Sequence, residues 1–203
     1  MDDSVPTEDK IEEAVKNLRR NRSKGPSGMQ AEHLKGLLIA SKRETREATE
    51  KGEGNTGGEE GGPAEPHWEN LVDLIQTEFR EGELAKEATW KAAVLIPKGK
   101  QEYWGIGLVE VMWKVVAVIL NLRLTASITY HDFLHRFWAG HGTGTDTFEA
   151  KLLQQLEALR EEVLYVIFLD LHKAYDALDK SRCLEILEGY DMGPRSCRIL
   201  RTY

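Results

Sequence analysis

The sequence predicts an α+β fold dominated by helix, and three observations carry that prediction. Apolar residues recur at helical spacing around Ile11, around Trp68 and around Phe148. Two short runs, 92–97 and 163–169, are rich in β-branched and other apolar side chains and read as strands. No internal repeat is present, which sets aside a solenoid. With 41% hydrophobic and 30% charged residues in a chain of 203, there is enough apolar surface for a core. The formal charge of −7 argues against a surface coated in Lys and Arg for indiscriminate nucleic-acid binding, but leaves room for a local basic groove. Two cysteines, Cys183 and Cys197, are too few for a disulfide framework or a four-cysteine zinc site. The acidic opening MDDSVPTEDK lacks an apolar segment of the secretory kind, so a soluble intracellular chain is expected.

The first helix follows Pro6-Thr7 and presents Ile11, Val15 and Leu18. Its acidic residues lie at the start and Arg19, Arg20 and Arg22 near the end, as the helix dipole favours. Lys24-Gly25-Pro26-Ser27-Gly28 breaks it with a turn. A second helix carries Leu34, Leu37 and Leu38 and fades into the charged run SKRETREATEK. Residues 52–66 hold six of the 18 glycines and both Pro63 and Pro66, so a solvated linker or insertion is expected. Order resumes at Trp68, with Leu71, Ile75 and Phe79 on one stripe.

The run AAVLIPKGK, 92–100, is a strand that ends in Pro97 and two lysines about Gly99. Residues 108–124 are apolar nearly all round. Glu110, Lys114, Asn121 and Arg123 interrupt them within less than the ~20 residues of a membrane span, so a buried helix is predicted. Thr145 is placed to cap an amphipathic helix with Phe148, Leu152, Leu156 and Leu159 as a core face. VLYVIFL, 163–169, carries the pattern of a buried central strand. Two short helices follow, about Leu184–Leu187 and Arg195–Leu200, parted by Gly189 and Pro194.

That last strand ends in Asp170. A carboxylate at the lip of a sheet can reach a hard cation such as Mg²⁺, and the carbonyl of Leu171 lies near the same spot as a further oxygen. Tyr175, five residues on, offers a flat wall against a sugar. Lys98 and Lys100, on a glycine-containing turn, supply charge of the kind a triphosphate needs.

FLDLHKAYD, 168–176, resembles motif A of the reverse transcriptases, above all those of non-LTR retroelements and group II introns. KGPSGMQAEHLK (24–35) resembles the element that opens these domains, AVLIPKGKQEYWGIGL (93–108) their fingers segment, and HRFWAGHGT (135–143) a further element before motif A. The four occur in the family's order, across roughly residues 10–203, with 40–66 unmatched. The resemblance implies an incomplete right-hand polymerase fold, with fingers and the first palm strand but no thumb. Residues 1–51 would be N-terminal helices leading into the fingers, 52–66 a linker or insertion, 67–160 the fingers, and 161–203 the start of the palm.

It further implies that Asp170 is a catalytic Mg²⁺ ligand and that Leu171 adds its backbone oxygen. Tyr175 would reject a ribose 2′-OH, while Lys98 and Lys100 bind nucleotide phosphate. An RNA template and a DNA primer would be the partners, with no membrane. The family's second acidic element, Tyr/Phe-x-Asp-Asp, is not found in the 203 residues, so these residues are not expected to polymerise alone.

Arginines of the family pattern are also replaced. Trp104 stands where a triphosphate-gripping Arg is usual, Trp138 and His141 replace two more basic positions, and Arg136 occupies a glycine position. Tryptophan has neither the charge nor the fork of a guanidinium, so weakened nucleotide affinity is expected. A rival from outside enzymology is a decayed retroelement product or a helical interaction module.

Two other chemistries fit less well. His131 and His135 sit one helical turn apart, but Asp132 replaces the glutamate of a zinc protease and no third ligand is evident. A haloacid-dehalogenase reading of the strand fails at His172, where a second aspartate is required.

Overall fold

The computed structural model describes residues 2–51, 67–99, 102–129, 140, 142–171, 174, 175 and 177–202. They cluster into two compact units, Met1–Ser127 with Leu184–Tyr203, and Ile128–Cys183. The linker expected at 52–66 lies outside the described residues. Seven α-helices, a short 3₁₀ turn and one antiparallel strand pair are described, so the chain is α+β and rich in helix.

The first unit holds the core. Helix α1, Glu8–Asn17, turns Ile11, Ala14, Val15 and the following Leu18 inward at spacings that keep one stripe facing one way. Helix α2, Ala31–Lys51, buries Ala31, Leu34 and Leu38 and continues as a helix through the charged run. Helix α3, Trp68–Glu81, buries Trp68, Leu71, Ile75 and Phe79. The Trp68 indole Nε1 donates to the Glu8 carboxylate at 2.6 Å, which sets α3 against α1. Each such large apolar side chain contributes about 1.5–3 kcal/mol by leaving water.

The 3₁₀ turn Lys86–Thr89 leads into strands β1, Lys91–Pro97, and β2, Tyr103–Val109. They form a hairpin with Val94 opposite Ile106 and Ile96 opposite Trp104. Strand β2 covers residues for which the sequence analysis names no strand. Helix α4, Val111–Ser127, is the buried helix expected of the apolar run, with Val115, Val116 and Ile119 shut from solvent. Among the described residues no helix is long and apolar enough to cross a membrane.

Helix α6, Lys180–Gly189, spans the boundary between the units, and α7, Pro194–Thr202, packs on α3. The Asp3 carboxylate accepts from the backbone N–H of Arg195 and Ser196 and from the Ser196 hydroxyl at 2.9, 3.0 and 2.8 Å, capping α7. Burial works to raise the Asp3 pKa, but these three donors outweigh it and hold the carboxyl below its ordinary value. Arg123 ties the same N-terminal stretch to α4 by donating to the Ser4 carbonyl at 2.6 Å.

The second unit departs from expectation. Helix α5, Thr143–Leu159, has Gly142 rather than Thr145 at its N-cap and buries none of its residues; Phe148 is 67% and Leu159 83% exposed. Residues 163–169, for which the sequence predicts a buried central strand, form neither strand nor helix, and Phe168 is 93% exposed. A strand's ladder and both its covered faces come from neighbours. Among the described residues no strand lies beside this segment.

Glu78, on α3, gives a test of the core by pH. Its carboxylate is 3% exposed and accepts from the Ala85 backbone N–H at 3.1 Å. Burial raises its pKa above the usual 4.5, with the Ala85 bond pulling the other way. The folded state thus holds this proton more tightly than the unfolded one, so the associated stability is complete below pH 4.5 and is lost as pH rises through the elevated value. Glu78→Gln keeps an acceptor for Ala85 and removes the charge. It is expected to be more stable than the parent at pH 8, by roughly 1 kcal/mol, and equal to it near pH 4. Urea melts at the two pH values measure this; equal loss of stability at both would refute it. The Asp3 contribution runs oppositely and falls away as pH drops below 3.8, outside that comparison.

Candidate functional site

The turn expected at 24–28 forms, and the structure gives it a partner. Gly28 donates to the Gly25 carbonyl at 3.0 Å and adopts φ +77°, a conformation glycine reaches without penalty. At Gly25 the constraint is space: a Cβ would come within 2.8 Å of the Val109 carbonyl oxygen and 2.9 Å of Glu110 Cα. Ser27 then donates from its backbone N–H and from its hydroxyl to the two oxygens of Glu110, each at 2.6 Å. Charge-assisted bonds of this length are the strong kind. They fasten the 24–30 loop to the junction of β2 and α4, just past the end of the 93–108 segment.

In the sequence, Glu110 stands only as an interruption of an apolar run. The signal that could have singled it out is physical. A lone carboxylate in such a run must find donors or stay out of the core, and here it is 6% exposed with both oxygens bonded.

The hairpin carries Lys98 at its tip, where the Lys98 backbone N–H donates to the Glu102 carbonyl at 2.8 Å. The Lys98 ammonium lies 5.9 Å from the centroid of Trp104, at the outer limit of a cation–π contact. Trp104 therefore faces the cation that the sequence reading assigns to phosphate. Lys100 lies outside the described residues, as do Arg136, Trp138, His141, His172 and the pair His131 and His135.

Asp170, Leu171 and Tyr175 belong to the second unit and Lys98 to the first. Asp170 is exposed, Leu171 is 78% exposed and Tyr175 82%. Among the described residues, no three His, Cys, Asp or Glu side chains gather as a cation site. Mg²⁺ demands six oxygens in near-octahedral array, several of them commonly water or substrate. Asp170 and the Leu171 carbonyl would supply at most two of those six oxygens, the others falling to water, substrate or further acidic side chains.

Comparison with protein-family models finds no match, and comparison with curated proteins finds none either.

Proposed function

We propose that this chain is the fingers and opening palm segment of an RNA-directed DNA polymerase, of the kind found in non-LTR retroelements and group II introns. In that family a primer 3′-oxygen attacks the α-phosphate of a deoxynucleoside triphosphate, and pyrophosphate leaves. Four motifs in family order and spacing are the observation that carries the reading.

In this reading Lys98 and Lys100 steady phosphates, Tyr175 selects deoxyribose and Asp170 with Leu171 contributes oxygens to Mg²⁺. Template RNA and primer DNA are the partners. The chemistry needs a second acidic pair that the 203 residues do not contain, so the chain by itself is expected to be inactive. The purified 203-residue chain, incubated with an RNA template, a DNA primer, deoxynucleotides and Mg²⁺, is expected to give no extension above the level of an Asp170→Asn control. Extension that the control lacks would overturn the inactivity. Extension after adding a polypeptide that bears Tyr/Phe-x-Asp-Asp would support the family reading.

A second reading, a non-catalytic decayed product or helical interaction module, is favoured by the exposure of Asp170 and by Trp104 in an arginine position. Under it, no complementing polypeptide restores synthesis.

A further inference from the structure

Where the C-terminal end of α1 meets the start of α2 and the outer side of α4, the first unit contains a cavity of about 400 Å³. Its polar lining includes Arg19, Arg22 and Lys114, and no carboxylate lines it. This runs against the composition, since the chain carries 34 acidic residues to 27 basic. Random placement of charge in so acidic a chain does not favour three cations about one hollow. Like charges brought together also repel one another unless something neutralises them.

Two acids near these cations in sequence, Glu32 and Glu110, do not line the cavity and hold backbone or side-chain donors elsewhere. Glu32 accepts the backbone N–H of Asn21 at 2.6 Å, and Glu110 is held by Ser27. Lys114 projects from a helix that is otherwise almost wholly apolar, is half-buried, and has no ion pair among the described residues. A cation kept part-way out of water without a counter-charge is costly, and an anionic ligand removes that cost.

Beside the neutral polar groups of Asn17, Ser23 and Gln30, the wall has an apolar part in which Met29, Val111 and Val118 stand out. That combination selects among anions. A guanidinium presents a planar fork to phosphate oxygens, and two arginines with a lysine exceed what one carboxylate needs. A volume of about 400 Å³ is in the range of small-molecule sites and leaves room for an uncharged body beside the phosphates. We infer that this cavity binds an organic phosphate of nucleotide size, with Arg19, Arg22 and Lys114 holding its phosphates and the Met29–Val111–Val118 wall covering its body. The shared chemistry is a nucleotide unit, supplied free or as part of a single strand. The inference does not depend on the polymerase reading, because it uses neither Asp170 nor Lys98.

The test is calorimetric titration of the full chain with ATP, with an eight-residue oligouridylate and with inorganic tripolyphosphate, without Mg²⁺. Saturable binding of ATP or the oligonucleotide is expected, with tripolyphosphate weaker because it leaves the apolar wall uncovered. The double variant Arg19→Gln/Arg22→Gln is expected to weaken that binding about tenfold or more, since each lost charge-assisted bond is worth roughly one decade. Both side chains are exposed, so the fold should persist, and Lys114→Gln gives an independent second reading. Arg43→Gln/Arg46→Gln, on the exposed face of α2, should leave affinity within about twofold.

Binding of ATP in preference to the oligonucleotide assigns a free nucleotide, and the reverse assigns a strand. The inference is overturned by no saturable binding of either, by tripolyphosphate binding as tightly as ATP, or by retention of affinity in both Arg19→Gln/Arg22→Gln and Lys114→Gln. Primer extension plays no part in these outcomes, so failure here leaves the polymerase proposal standing, and failure there leaves this one.

Discussion

Phe79→Ala is expected to lower the stability of the first unit by about 3–5 kcal/mol, toward the upper end of that range, and to shift its urea midpoint accordingly. Two losses combine at this position. The ring is fully buried within the core cluster of the first unit, so truncation leaves a cavity that the packed helices can fill only in part. The Arg123 guanidinium also lies over that ring, 4.9 Å from its centroid.

Arg123 is 7% exposed, and its Nε and Nη1 have no hydrogen-bond partner among the described residues. Burial pulls its pKa below the ordinary arginine value, while Asp2 and Asp3 push the other way. The ring face is thus a large part of what makes a buried cation tolerable there. Phe148→Ala, on the exposed α5, is the comparison, and a change within about 0.5 kcal/mol is expected. Equal effects of the two substitutions would show that the division into a packed and an uncovered unit is wrong.

Glu110→Ala is expected to cost about 2–4 kcal/mol and to free the 24–30 loop. Two bonds of 2.6 Å to a charged acceptor are lost together, and the Ser27 N–H and hydroxyl are left to find water. Glu110→Gln retains one acceptor oxygen but meets the second donor with an amide N–H₂, so an intermediate loss is expected. Hydrogen exchange at the Ser27 amide reports the local part of the effect, and urea melts report the global part. Unchanged Ser27 protection in Glu110→Ala would remove this clamp from the account of the fold. Because Met29 and Gln30 sit on the same loop and line the cationic cavity, the substitution is also expected to blunt organic-phosphate binding.

These two predictions concern residues of unequal legibility. Phe79 could be read in advance: it completes the stripe Leu71, Ile75, Phe79, and a seam so regular has few alternatives to burial. Glu110 could be noticed but not understood, since Ser27 lies 83 positions away and no local pattern links them. The cavity lined by Arg19, Arg22 and Lys114 is of the same kind. Two of its cations read locally as the basic end of α1, and the third as a break in an apolar run. Nothing in the spacing of residues 19, 22 and 114 says that they share a hollow.

By itself, the sequence determined where most helices run and which stripe of α1, α2 and α3 is apolar, because 3.6-residue periodicity and breakers such as Gly25-Pro26 act within a few residues. It also determined that α4 is buried, since a helix apolar on every side has nowhere else to go. Tertiary structure alone decided which apolar faces are covered. The α5 stripe and the run 163–169 are as hydrophobic as the segments that form the core, yet they stay in solvent. An apolar face records a capacity for burial, and burial itself requires an opposing surface that another part of the fold must provide.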